Sequence, residues 1–174
     1  QGVVVNEPYK GIRLTPLSHD RIDQLIALRE ALETTAATRA IRLKRNDATH
    51  LQELESIVHG MEAMAARNEV FGFATADTSF HRSLCSYAGN AVLSDMWEML
   101  ARQMTIIFGL SAFGKPMEAI VEEHWELIRV FRSGKVGDMA RAISDHIDVE
   151  IHKVDLEKII AERRADAQRS SSPA

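Results

Sequence analysis

The sequence is poor in cysteine, in aromatic residues and in long apolar runs, and each shortage excludes something. A single cysteine among 174 residues excludes an internal disulfide and fits a reducing compartment. That residue, Cys85, stands in FHRSLCSYA beside apolar neighbours and reads as a small buried hydrophobe rather than a reactive thiol. No apolar stretch approaches the roughly 18 residues that a membrane-crossing helix needs. The opening QGVVVNEPYK lacks a basic-then-apolar signal pattern, so the expected location is the cytoplasm, with no membrane partner. Excess positive charge is missing as well. A formal net charge of −4 and a pI near 6.0 argue against nucleic-acid binding through this chain's own surface. There is no internal repeat, and no H-E-x-x-H.

What is present is an ordinary globular composition, 45% hydrophobic and 26% charged, in a length that suits one domain with a sizeable core. From residue 16 onward helical spacing dominates. A first helix is expected from Ser18, as N-cap, to about Leu43, where Asn46 and Asp47 break it. A second carries Leu51, Leu54, Ile57, Val58, Met61 and Met64–Ala65 on one face and ends near Asn68. A third covers about Val70 to Ala88, with Gly89 as its C′ residue. The fourth runs from about Asn90 to Leu110, the fifth from Met117 to Phe131, and the sixth from Val136 to Glu162. Short links between six helices predict an all-α, mostly antiparallel bundle. Before it, GVVV followed by NEP reads either as the last strand of a preceding unit or as a frayed terminus. The expected division is therefore 1–10 as strand end and linker, 11–165 as the helical domain, and 166–174 as a small, polar, disordered tail.

The informative residues are polar ones inside apolar stripes. The third helix reads Phe73, Asp77, Phe80, His81, Leu84, which puts an aspartate and a histidine on one face. The fifth reads Ile120, His124, Leu127, Ile128, Phe131. The sixth reads Met139, Ile143, His146, Ile147, continued by Glu150 and Val154. A lone histidine on such a face is usually a hydrogen-bonded core residue. Three helices aiming one carboxylate and three imidazoles at the core offer the donor set of a borderline divalent cation. Periodicity alone leaves a metal site and a structural polar network as equal alternatives. The remaining histidines fit less well: His19 stands at a helix start, His59 flanks its stripe, and His50 and His152 are ambiguous.

The stretch ADTSFHRSLCSYAGNAVL resembles the D-x-x-F-H…N-x-x-L segment of the FCD domain, the effector-binding half of FadR-type regulators in the GntR family of bacterial transcription factors. ALREALE, with Arg29 and Glu33, resembles the R-x-x-L-E of the family's first domain helix. EEHWELIRVFRSGKVGDMARAISDHI resembles its E-H-x-x-I…G-D…H-I segment. The likeness covers about residues 20 to 150 in order. RAIRL departs from the A-A-x-R-A of many relatives. The resemblance implies one divalent ion held by Asp77, His81, His124 and His146, the residues the stripes had selected. It also implies an open metal site rather than a closed structural zinc, a homodimer, and a winged helix-turn-helix domain ahead of this chain, of whose wing GVVV is the end.

One carboxylate and three neutral imidazoles around a divalent ion leave a net charge of about +1, which favours an anion. The expected effector is a small carboxylate, an organic or sugar acid. Arg29, Asn90 and Arg102 are its candidate contacts, although Asn90 equally suits a helix N-cap and Arg102 better suits a solvated face. Trp97 and Trp125 read as core or interface residues. Zinc is the first candidate metal; nickel, manganese, cobalt and iron share the donor preference. DNA is a partner only through the preceding domain. The competing class is a metal-dependent hydrolase or lyase on the same pocket, for which no free general base is visible, since Glu150 suits a salt bridge better; no catalytic residue is therefore assigned.

Overall fold

The computed structural model describes residues 4–7, 11–14, 19–111 and 116–151. Two short strands, β1 (Val4–Glu7) and β2 (Gly11–Leu14), pair antiparallel with Val4 opposite Leu14 and Glu7 opposite Gly11. Six helices follow: α1 (His19–Arg42), α2 (Ala48–Ala66), α3 (Val70–Ser86), α4 (Ala91–Ser111), α5 (Met117–Ser133) and α6 (Val136–Ile151). The all-helical expectation therefore holds for the bundle and misses β2. GIRL is four residues long, too short for alternation to stand out, and it gains its conformation by pairing back onto VVNE. The boundary expected at residue 10 falls between the two strands. Ser18, Val154, the stretch to Glu162 and the 166–174 tail lie outside the described residues, as does the Glu150 side chain.

Helices α2 and α3, α3 and α4, and α5 and α6 pack as consecutive neighbours, and α1 lies against α3, α4 and α6. The stripes expected from the sequence are the buried faces. On α2 they bury Leu51, Leu54, Val58, Met61 and Ala65, with Ile57 and Met64 half-buried. On α5 all five expected positions are buried. On α6 Met139, Ile143, His146 and Ile147 are.

Local chemistry sets the helix ends that position the site. Asp47 caps α2, its Oδ1 accepting from the backbone N–H groups of Thr49 (2.9 Å) and His50 (3.2 Å). At the other end of α3 the last carbonyls are taken by arginines from α1 and its following loop. Arg39 Nε donates to the Ala88 carbonyl (2.8 Å) and Arg45 Nη1 to that of Tyr87 (3.1 Å). Gly89, at φ 59°, makes this possible, because a Cβ there would lie 2.8 Å from Arg45 Nη1. Cys85 is buried, and burial pushes its thiol pKa up, as expected of an inert core residue.

Candidate metal centre

The three site-bearing helices each deliver their polar residue to one buried point. Asp77 and His81 lie one turn apart on α3, His124 projects from α5 and His146 from α6, and none is more than 5% exposed. The ligand-capable atoms of the three histidines all lie within 4.8 Å of one another. Asp77 joins from one side: its Oδ1 is 3.2 Å from His124 Nε2 and 4.0 Å from His81 Nε2. His81 and His146 face each other through their Nε2 atoms at 3.3 Å, their rings nearly parallel, while the His124 ring crosses both.

The outward nitrogen of each ring decides what the inward one can do. His124 Nδ1 is 2.8 Å from the Ile120 carbonyl, which can only accept, so the proton sits on Nδ1. His81 Nδ1 is 2.7 Å from Glu33 Oε2, and His146 Nδ1 is 3.3 Å from Glu123 Oε2. In this tautomer all three Nε2 lone pairs point at the cluster, where Asp77 adds an anionic oxygen. A group of acceptors facing one another inside a core is repulsive unless a cation sits among them. Outer acceptors that fix the ring and expose the other nitrogen are the usual support of metal-binding histidines. Two donors about 2.1 Å from a shared ion stand roughly 3 to 4.2 Å apart; the separations of 3.2, 3.3 and 4.0 Å fall in that range, and the three histidines as a set spread somewhat wider, up to 4.8 Å. The residues present therefore fit a divalent metal ion.

The titration behaviour agrees. Burial, followed by the nearby charge of Arg29, holds His81 well below its ordinary value of 6.5, so it is a neutral imidazole at neutral pH, the form that could ligate a metal. Burial pushes the Asp77 carboxyl up, but its contact with His124 and the charge of Arg29, together with the charges that His81 and His124 carry when protonated, outweigh it and keep the group below its usual range.

The other expected contacts separate. Arg29, 1% exposed, is brought to the site: its Nε donates to Glu33 Oε1 (2.8 Å), and Glu33 in turn reaches His81. Asn90 is not. It is exposed at the start of α4, where its Oδ1 accepts from Leu93 N–H (3.3 Å), so the capping alternative is the one the structure takes. Arg102 lies on the exposed face of α4, the solvated alternative. Among the other histidines, His59 pairs with Glu62 and His50 with Asp47 near the surface; the side chains of His19 and His152 lie outside the described residues.

The layer of groups behind the histidines is not legible in the three stripes. Glu33 sits in the buried face of α1 with Ile26, Arg29, Ala36 and Ala37, so the same test applied to α1 would have found it. Glu123 carried no such signal, being partly exposed beside a cleft of about 470 Å³ between α5 and α6 that His146 also lines. Trp97 carried none either. It is 2% exposed, its ring centre is 6.3 Å from that of His81, and its indole N–H has no hydrogen-bond partner, an omission that ordinarily costs about 1–3 kcal/mol.

With this geometry in place, likeness to known proteins settles the family. The FCD domain family matches residues 24–149. The chain belongs to the FCD domain family. This is the effector-binding domain of GntR-family transcriptional regulators that the sequence motifs resemble. A curated relative, the probable D-xylose utilization operon transcriptional repressor of Paenarthrobacter nicotinovorans, is 25% identical over 146 residues, covering 84% of this chain. This chain spans 63% of that relative's length. Among solved structures, E. coli McbR/YncC superposes with a TM-score of 0.73 at 13% identity, over 92% of this chain and 78% of that one. A GntR-family regulator from Pseudomonas syringae pv. tomato gives 0.64 at 19% identity, over 97% of this chain and 66% of that one. The structural likenesses show the shared fold. Family and relative are transcriptional regulators, so the hydrolase or lyase alternative falls away.

Proposed function

We propose that this FCD domain holds one divalent metal ion on Asp77, His81, His124 and His146 and uses it to sense a small carboxylate. The observation that carries the reading is the convergence of three Nε2 atoms whose opposite nitrogens each face an oxygen acceptor, Ile120, Glu33 or Glu123. When bound, the ion supplies a Lewis-acidic centre that an acid can chelate. Zinc is the first candidate, and nickel, manganese, cobalt and iron share its preference for these donors. The protein's own buried charges then select the ligand. Asp77 and Glu33 bring two negative charges and Arg29 one positive, which with a divalent ion leaves +1, so an anion is favoured. Among the described residues Arg29 is the buried cation, its guanidinium anchored to Glu33, which in turn reaches His81.

The sensing follows from where these groups sit. Ligand binding must favour one arrangement of the bundle over another if it is to change anything elsewhere. Arg29 and Glu33 lie on α1, the helix that follows the β1–β2 hairpin, so an acid engaging Arg29 acts on the helix nearest the N-terminal side. The full regulator, in this reading, is a cytoplasmic homodimer that grips a two-fold operator through winged helix-turn-helix domains preceding residue 10, with the effector domain beginning after the hairpin. The relative's name ties it to sugar utilisation, which keeps sugar acids among those to test.

A thermal-shift screen checks the reading. Acetate, lactate, malonate and gluconate are added to the zinc-loaded protein with and without a chelator. At least one acid is expected to raise Tm only when metal is present. Stabilisation by every acid that ignores the chelator contradicts chelation at the metal.

A further inference from the structure

The buried polar atoms that lack a hydrogen-bond partner are not scattered through the bundle. Among the described residues most of them belong to the metal cluster and to the Arg29–Glu33 pair beside it, whose side chains make other polar contacts, and the outlier is Trp97 Nε1. Asp77 Oδ1 and Glu33 Oε2 still have a close partner in an ion pair, with His124 and His81 respectively. The Trp97 indole N–H has neither a hydrogen bond nor an ionic contact. Its ring is 2% exposed and stands next to His81, its centre 6.3 Å away. Buried tryptophans normally find an acceptor for this group, because the ring can be replaced by a purely apolar one wherever no acceptor exists. The other tryptophan of the chain obeys the rule: Trp125 Nε1 donates to Glu62 Oε1 at 2.8 Å.

We propose that the Trp97 indole N–H donates a hydrogen bond to the carboxylate effector, to an oxygen of the acid seated at the metal cluster. The inference rests on the carboxylate-sensing reading above and adds the residue through which α4 takes part. The two polar candidates at α4, Asn90 and Arg102, are exposed, whereas Trp97 is an α4 side chain that stands beside His81. An indole N–H can donate and cannot accept, so it selects an oxygen acceptor and rejects an amine or a protonated group at the same place. It is also uncharged at every working pH, so it adds selectivity without altering the charge balance of the site.

The test uses the zinc-loaded full chain with ¹⁵N-labelled tryptophan, which gives two indole resonances that Trp125→Phe assigns. Acetate, lactate, malonate and gluconate are titrated while zinc content is checked. For an acid that binds, the Trp97 indole proton should move downfield and the Trp125 proton should stay. Trp97→Phe should weaken that acid about tenfold or more by calorimetry while retaining one zinc per chain. An acid that binds with no change at the Trp97 resonance overturns this inference and leaves the carboxylate reading standing. Failure of all four acids to bind the zinc-loaded protein overturns both. The resonance measurement is made on native Trp97, so it decides the matter even if Trp97→Phe does not fold.

Discussion

Helices α2 and α3 pack on each other in one bundle, yet their buried faces are chemically opposite. The α2 face is wholly apolar: Leu51, Leu54, Val58, Met61 and Ala65. The α3 face interleaves Asp77, Thr78 and His81 with Phe73, Phe80 and Leu84. The bundle can plainly be closed by apolar stripes, since α2 closes its share that way. Polar groups on α3 therefore weaken the core locally, which the proposed binding role would account for. In the reading proposed above, one helix holds the fold together and its neighbour gives up part of that role to build a site.

The sharpest way to break this contrast is to truncate each face. Leu54→Ala should cost about 2–5 kcal/mol in chemical denaturation while leaving one metal per folded chain, since Leu54 is fully buried and contributes packing alone. His81→Ala should abolish metal retention, read by elemental analysis after dialysis. If Leu54→Ala loses metal as completely as His81→Ala, the two faces are not functionally distinct.

The supporting layer gives the next effect in size. Glu33→Gln keeps the shape but removes the carboxylate facing His81 Nδ1. Metal affinity measured by competition with a chromophoric chelator should fall by about 10–100-fold. An unchanged affinity would mean that Glu33 serves Arg29 alone.

Acid should separate the faces as well. An unfolded imidazole takes up a proton near 6.5, whereas buried His81 resists it, so the unfolded state binds more protons below that pH. Stability of the metal-free protein should therefore fall as pH drops below about 6.5. Asp77, also held low, extends the loss in the same direction below 3.8. The Leu54→Ala curve should run parallel to the wild type, displaced downward, because α2 buries no titrating group. A His81→Leu protein whose stability keeps the full acid dependence would contradict the assignment.

The smallest effect concerns α4. Asn90→Ala removes a cap and should cost about 1 kcal/mol, with carboxylate affinity unchanged. A change in affinity without a change in stability would return Asn90 to the effector site.

These contrasts also show how much was legible in the sequence. Asp77, His81, His124 and His146 could be read because a 3.6-residue period separates inward from outward positions, and a polar residue on the inward side stands out. The six helices of the described residues and most of their ends followed from the same period together with Gly89 and Asp47. Whether a polar residue near a helix start caps the backbone or meets a ligand could not be read, because both roles ask for the same Asn90. The acceptors behind the histidines were hidden for another reason. Glu123 comes from a half-exposed position, and the Ile120 carbonyl is backbone, which has no letter in the sequence. Trp97 read as ordinary core, and nothing in its spacing reveals an N–H without an acceptor. The β2 strand escaped because pairing with β1, rather than its own pattern, defines it.

The central claim is that Asp77, His81, His124 and His146 jointly hold one divalent ion. Its most direct test is elemental analysis of the purified wild-type chain beside His124→Ala and His146→Ala, each dialysed against the same zinc buffer. The account predicts one ion per chain in the wild type and far less than one in either variant, with helical circular dichroism retained. Equal metal content in all three folded proteins would contradict it.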